Sequence, residues 1–401
     1  MASGEAVHRR DGAQVAQFIN NVYLRMVQQK LLILGGYGNA GLAIARLLAE
    51  VGDLQIALAG RRIERALEAA QRLDAEFGTK RFSGLEVNAA SRESLLTAFK
   101  QVDLVIVAAS TIAHTKVVAE AALEAGIDYL DVQISVKAKH DALEPLRERV
   151  RASGLCFITD GGFRPGIPAA MVRYAASQMA GLESAVVASA FQVDWQERAF
   201  SSSSAAEFVD ELKSFSTKIL KDGVWQSASL GAYQKVDFGS PFGIKYCAPM
   251  FMKEFQELPD LIPTLKDTGF YSSGLGAIVD YLIIPLAFGL LAVSPEGSRG
   301  LIARLMAWGL KHTTHPPYGA VLQMDARGPG RSLRMTISHT DAYLVTAAPA
   351  AACLLQYFDG SIRKPGLWKQ ATLVEPVRFF DDLARLGLEV NTAFGDESRS
   401  D

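Results

Sequence analysis

The chain has three cysteines, Cys156, Cys247 and Cys353, widely separated and with no C-x-x-C pair. That excludes a disulfide framework and a zinc ribbon, and it points to a reducing compartment. Excess charge of one sign is also missing. Lys and Arg number 41 against 43 Asp and Glu, the formal net charge is −2, and no basic stripe stands out, which argues against nucleic acid as a partner. The longest apolar run, Leu282–Val293, is too short to span a bilayer, and Asp280 interrupts any longer window. Residues 1–28 carry charges and no continuous apolar stretch, so no secretory signal is expected and the expected location is cytoplasmic. This arm, 1–29, reads as an extension in which Phe18, Ile19, Val22 and Tyr23 have the spacing of a short amphipathic helix. No nucleophile elbow or Walker lysine occurs. His312 and His315 have metal-ligand spacing, but no third ligand is placed and Pro316-Pro317 ends the helix, so no metal is expected.

What is there is a globular composition, 49% hydrophobic and 21% charged, over 401 residues, enough for two or three domains. One stretch organises the rest. Lys30–Leu34 is an apolar run of strand length; Gly35-Gly36-Tyr37-Gly38-Asn39-Ala40-Gly41 follows, and a helical pattern starts at Leu42. Gly36-x-Gly38-x-x-Gly41 between a strand and a helix is the dinucleotide-binding fingerprint in its required context. Gly36 permits the tight turn, Gly38 lets backbone approach a pyrophosphate, and Gly41 lets the helix pack on the strand. The helix start, through Asn39 and Ala40, offers free N–H groups to the phosphates. About 20 positions on, an NAD-specific site carries Asp or Glu for the ribose 2′-hydroxyl. Here that region is Gly60-Arg61-Arg62, and an arginine fork suits a 2′-phosphate. The expected cofactor is NADP(H), with NAD the lesser alternative.

Downstream, strands at 54–59, 84–88, 103–110, 127–132 and 155–159 alternate with helices at 63–77, 91–100, 115–125 and 137–152. This alternation predicts a doubly wound parallel sheet. Asn88 stands where an adenine edge is contacted. The small residues Ala109 and Ser110 end a buried strand where the nicotinamide half approaches. His114 follows at a helix start, as a ribose contact or a cap. Asp131 ends a parallel strand, where open α/β sheets bind ligands; it either contacts substrate or fixes the neighbouring loop.

The strings GGYGNAGLAIARLLA, AGRR, DLVIVAAS, AALEAGIDYLDV and GGFRPGIPAAM, with Asp359–Ile362, Pro365–Leu367 and Pro376–Leu388 near the end, resemble the saccharopine dehydrogenase-like oxidoreductases. The likeness is strong over 30–175, moderate over 320–392 and weak between. It implies an NAD(P)-binding Rossmann domain (30–165), an inserted α+β substrate and dimerisation domain (166–345), and a C-terminal return with a polar tail (346–401). It also implies a homodimer, and oxidation or reduction of an amino-acid C–N bond through an imine. Saccharopine-reducing members carry Asp in a Gly-x-Asp-Pro-Gly segment beside the nicotinamide, where this chain has Arg164. A guanidinium is no acid or base at neutral pH, but it can clamp a carboxylate or polarise a carbonyl. The segment after Asp131, Val132–Ser135, also lacks the tyrosine of some members. Both departures argue against saccharopine itself as substrate. Asp131 and Arg164 are thus the candidate catalytic residues, toward a small-molecule substrate.

In the middle region, 185–195 reads as a strand, Ser201–Ser204 as an N-cap before a helix at 205–220, and 224–229 with 233–238 as a hairpin or as sheet strands. Val321–Ala326 and Ser332–Ser338 form the clearest hairpin. His339-Thr340-Asp341 offers an acid/base couple or a polar strand end. Gly274–Val293 reads as a buried helix or a helical pair lining an apolar tunnel. Its alternative is peripheral membrane contact through 274–311, with Arg299, Arg304 and Lys311 near Trp308. Two other functions compete with C–N chemistry: reduction of an apolar, lipid-like enoyl or carbonyl compound, and a non-catalytic dinucleotide sensor or scaffold.

Overall fold

The computed structural model describes residues 29–194, 209, 212, 215–229, 232–273, 275–276 and 278–396. The expected N-terminal amphipathic helix, the N-cap at 201–204, most of the helix at 205–220 and the last residues of the tail lie outside them.

Seven strands form a wholly parallel sheet in the order β15-β6-β5-β4-β1-β2-β3. They are β1 (Lys30–Leu34), β2 (Gln55–Gly60), β3 (Phe82–Glu86), β4 (Leu104–Val107), β5 (Asp128–Asp131), β6 (Cys156–Thr159) and β15 (Gly366–Lys369). Leu31–Leu34 and Leu104–Val107 are buried on both faces, as continuous apolar runs in a parallel sheet must be. Helix α1 (Asn39–Val51) follows β1, and α2 (Ile63–Phe77), α3 (Arg92–Phe99) and α4 (Thr115–Ala125) continue the alternation. Helix α2 buries Ala66, Ala69, Ala70 and Leu73 at helical spacing and ends at Gly78 in the left-handed region. The expected helix at 137–152 is two pieces, α5 (Lys137–Leu143) and α6 (Arg147–Ala152), joined by a 3₁₀ turn at Glu144–Leu146. Pro145 lacks the N–H that a continuous helix needs there.

A second, mixed sheet runs β10-β11-β12-β7-β13-β14-β16, with β8 pairing β12 and β9. Its strands are β7 (Ser184–Gln192), β8 (Lys218–Lys221), β9 (Val224–Ser227), β10 (Gln234–Asp237), β11 (Ile244–Met250), β12 (Asp267–Ser273), β13 (Gly319–Gly328), β14 (Arg331–His339) and β16 (Glu389–Asp396). The hairpin expected at 321–338 is β13–β14. Two expectations change and one alternative is decided. Residues 218–221 are strand, not the end of a helix. Of the two readings of 224–229 and 233–238, sheet strands is the one found: 224–227 pairs with β8 and 234–237 with β11, not with each other. The segment after 388 is not simply a tail, because β16 pairs with β14.

Helices α7 (Pro168–Gln178) and α10 (Leu344–Phe358) carry the junction between the sheets, which share one apolar core. Helix α10, rich in alanine, is buried nearly all round, the mark of an interior helix. Between them in sequence, α8 (Ile284–Val293), which continues a π turn at Val279–Ile283, and α9 (Arg299–Thr313) form a helical pair with its own small core. The pair exists, but the expected burial does not. One face packs inward while Leu282, Leu286 and Val293 are 63%, 48% and 87% exposed. Finally, α11 (Pro376–Arg385) is capped by Glu375, whose carboxylate accepts from the Val377 and Arg378 N–H groups.

Candidate functional site

The crevice opens at the carboxyl ends of β1 and β4, the point where the strand order reverses. Gly38 is the N-cap of α1 and offers no side chain to its first turn. None of the N–H groups of Asn39, Ala40 and Gly41 donates to a protein acceptor among the described residues. Three open donors at a positive helix end make an anion site. A Cβ at Gly41 would lie 2.3 Å from the Gly35 carbonyl oxygen, so only glycine brings the helix this close to the turn.

The ribose end has an arrangement that the sequence reading lacked. A Cβ on Gly60 would lie 2.5 Å from the ring of Tyr37. The Tyr37 hydroxyl in turn accepts from the Arg62 N–H at 3.2 Å. Tyr37 therefore covers the end of β2, leaving no room for an acidic residue at 60. Arg61 and Arg62 stand exposed beside it, without an ion-pair partner among the described residues. Asn88 is exposed, and its carboxamide oxygen accepts from the Ala90 N–H at 3.1 Å in a tight turn at the end of β3. These features fit a dinucleotide bearing an additional phosphate: open donors for the pyrophosphate and two uncompensated guanidinium groups at the ribose.

At the other half of the crevice, the Ala109 carbonyl accepts from Gln133 Nε2 at 2.8 Å, and Ser110 is exposed next to it. Asp131 is not at the surface of the crevice. Its side chain is wholly buried and its Oδ1 lies 2.8 Å from Lys139 Nζ; the Tyr129 hydroxyl donates to its Oδ2 at 3.1 Å. Lys139 also reaches Asp160 Oδ1 at 2.6 Å and the Gln133 carbonyl at 3.0 Å. This corrects a direct catalytic role for Asp131: the carboxylate holds the ends of β5 and β6 together through Lys139, the loop-fixing alternative. Burial alone would lower Lys139, but Asp131 and Asp160 outweigh it and hold the ammonium above the ordinary lysine value. Burial would raise Asp160, yet Lys139 and His140 bring it below the usual carboxylate range. His140, whose Nε2 is 2.7 Å from Ser135 Oγ, is pushed down to about 4 by burial, with Lys139 and Lys253 assisting and Asp160 opposing. It is neutral at pH 7.

Arg164 sits in the loop between β6 and α7 and spans to the second sheet. Its Nη1 donates to Ser272 Oγ of β12 at 2.5 Å, and its guanidinium carbon lies 5.2 Å from the ring centroid of Phe191 on β7. The loop is tied down from the second sheet's side by Glu254, which is wholly buried and accepts from the Gly166 N–H at 2.7 Å and the Ala169 N–H at 3.4 Å. Burial, reinforced by the charge of Asp160, pushes Glu254 up to about 8 against the pull of those two bonds. In an exposed chain the group ionises near 4.5. A folded-state value above the unfolded one means the stabilising contribution is complete below pH 4.5 and is lost as pH rises through about 8. The melting temperature is therefore expected to fall across that window, by an amount on the order of a few kcal/mol in stability. Glu254→Gln should flatten this dependence, and an unchanged slope in thermal denaturation would refute the assignment.

Sequence reasoning missed Tyr343. Its hydroxyl accepts from Asn39 Nδ2 at 2.8 Å, so the start of α10 closes over the glycine loop from 304 residues away, with no local signal to announce it. His339 and Asp341 do not form an acid/base couple. His339 Nδ1 accepts from the Asp341 N–H at 2.8 Å, and the Asp341 carboxylate accepts from the Tyr343 N–H at 2.7 Å, which is turn chemistry. His114 precedes α4 without a side-chain capping bond.

Residues 31–158 match the family model described as saccharopine dehydrogenase NADP binding domain. Over 161 residues the chain is 28% identical to carboxynorspermidine synthase of Vibrio cholerae; the match covers 36% of this chain and 39% of that protein, well under half of its length. The structure of saccharopine dehydrogenase (L-Glu forming) from Saccharomyces cerevisiae is similar with a TM-score of 0.62, covering 92% of this chain and 100% of the other at 16% identity. That likeness shows a shared fold, a Rossmann-type parallel sheet with a second mixed sheet.

Proposed function

We propose, from the match of residues 31–158 to the saccharopine dehydrogenase NADP binding domain, that the chain is an NADP(H)-dependent enzyme that makes or breaks a C–N bond through an imine, on a substrate bearing a carboxylate. Arg164 is the observation that carries this reading. A guanidinium between the parallel sheet and the second sheet, steadied by Ser272 and the face of Phe191, is a preformed fork for a carboxylate.

NADPH, when bound, supplies the hydride. The Asn39, Ala40 and Gly41 N–H groups would hold its pyrophosphate, Arg61 and Arg62 its 2′-phosphate with Tyr37 alongside, and Ala109 and Ser110 would border the nicotinamide. The remaining question is the proton. Hydride addition to a carbonyl carbon generates an alkoxide that needs a proton donor in the same step. Addition to an iminium carbon instead discharges a cation already present, and the amine takes its proton later from solvent. Asp131 and Asp160 are both engaged by Lys139, and Arg164 cannot donate at neutral pH. This donor set favours the iminium.

Turnover of NADPH with mixtures of amino acids or diamines and 2-oxo acids or aldehydes tests the reading. Arg164→Ala should raise KM for the carboxylate partner about tenfold to a hundredfold while leaving NADPH affinity in place, with Arg164→Lys recovering part of the loss. Reduction of simple carbonyl or enoyl compounds, with no amine dependence, would overturn it.

A further inference from the structure

The helical pair 278–313 has a use for its outer surface. Ile278, Tyr281, Leu282, Pro285, Leu286, Gly289 and Val293 recur at helical spacing on one exposed stripe, and no charged residue interrupts it. The opposite face, Val279, Ile283, Ala287 and Leu291, packs on Ile302, Met306 and Leu310 of α9. Gly309 permits a close crossing, since a Cβ there would lie 2.4 Å from Ile283 Cδ1. The inner face is therefore satisfied, and the outer stripe is surplus to folding. Contiguous apolar surface of this kind marks an interaction site.

Its surroundings select the partner. The exposed stripe of α9 is Leu301, Arg304, Trp308, Lys311 and His312, with Trp308 stacked on His312 at 5.7 Å. At the start of the apolar stripe, Tyr281 meets Tyr233 at 6.4 Å and donates to the Tyr246 carbonyl at 3.3 Å. The acidic groups of the pair are Asp280, which accepts from the Leu275 N–H at 3.3 Å, and Glu296 in the connecting turn; neither lies on the two stripes. An apolar stripe that begins at two tyrosines, on a helical pair whose second helix exposes a tryptophan and two cations, matches the interface of an anionic bilayer, where aromatic rings sit at headgroup depth and Lys and Arg meet the lipid phosphates. A second copy of the chain fits less well, because among the described residues neither stripe carries a carboxylate to receive Arg304 and Lys311 of the other copy. No helix among the described residues is long and apolar enough to cross a membrane, so the pair would lie in the interface plane.

We propose that α8 and α9 dock the protein on anionic lipid surfaces. The test is flotation of the full-length protein with vesicles of phosphatidylcholine alone and with phosphatidylglycerol added. Binding should appear with the anionic vesicles and weaken at high salt. The surface variant Leu282→Ser/Leu286→Ser/Val293→Ser should lose at least tenfold in partitioning, and Arg304→Gln/Lys311→Gln should lose affinity for anionic vesicles only. Unchanged melting temperatures and NADPH binding in both variants separate this from misfolding. Failure of the wild type to float, equal flotation of the wild type and the apolar variant, or a dimer in light scattering that the apolar variant dissociates would each overturn the proposal.

Discussion

Lys139→Leu should cost about 3–5 kcal/mol of folding stability, the largest effect of any single substitution discussed for this chain. Lys139 is wholly buried between two wholly buried carboxylates, at 2.8 Å from Asp131 and 2.6 Å from Asp160. Removing the cation leaves two uncompensated negative charges on adjacent strand ends, where water cannot reach them. The cost comes from the abandoned carboxylates rather than from the worth of the ion pair. Adding Asp131→Asn and Asp160→Asn to Lys139→Leu should therefore recover most of the loss. Denaturant unfolding of the single and triple variants checks both statements. A single variant as stable as the wild type, or a triple variant no better than the single, would contradict the network.

The double variant Arg61→Ala/Arg62→Ala should weaken NADPH binding by about a hundredfold and leave NADH within a few-fold. A charge-assisted hydrogen bond is worth about 1.5–3 kcal/mol, and both guanidinium groups are exposed without an ion-pair partner among the described residues, so folding should be untouched. Tyr37 sharpens the expectation. Its ring fills the space over Gly60, so restoring an acidic residue at 60 should disturb the turn before it recruits NADH. Fluorescence titration with both cofactors reads the result, and equal weakening of NADPH and NADH would show that these arginines do not read the 2′-phosphate.

What was legible in the sequence was local. The β1–glycine turn–α1 unit is specified within about a dozen residues by one apolar run, three glycines and one helical pattern, and Gly60-Arg61-Arg62 sits at a fixed offset from it. Asp131 was legible as a strand end but not as a buried charge, because its partners Lys139 and Asp160 reach it only when α5 folds back over β5 and β6. Tyr343 and Glu254 meet the glycine loop and the Arg164 loop across long sequence separations, for which periodicity has no signal. The stripe on α8 was misjudged for a different reason. Ile284–Val293 is apolar on every side, so its sequence carries no phase to say which face is packed, and only the position of α9 decides it. Strands β9 and β10 were legible as strands but not in their pairing, since antiparallel neighbours are chosen by register across the sheet, while β8 was read as the end of a helix and proved to be strand.

The most direct test of the central claim is the fate of the hydride. With NADPH deuterated at the transferring carbon, an amine and a 2-oxo acid, the expected product is a secondary amine carrying one deuterium on the carbon that bears the nitrogen, with the yield falling in Arg164→Ala. Deuterium in an alcohol or in a reduced C=C bond, or no transfer to any amine–carbonyl pair, would contradict it.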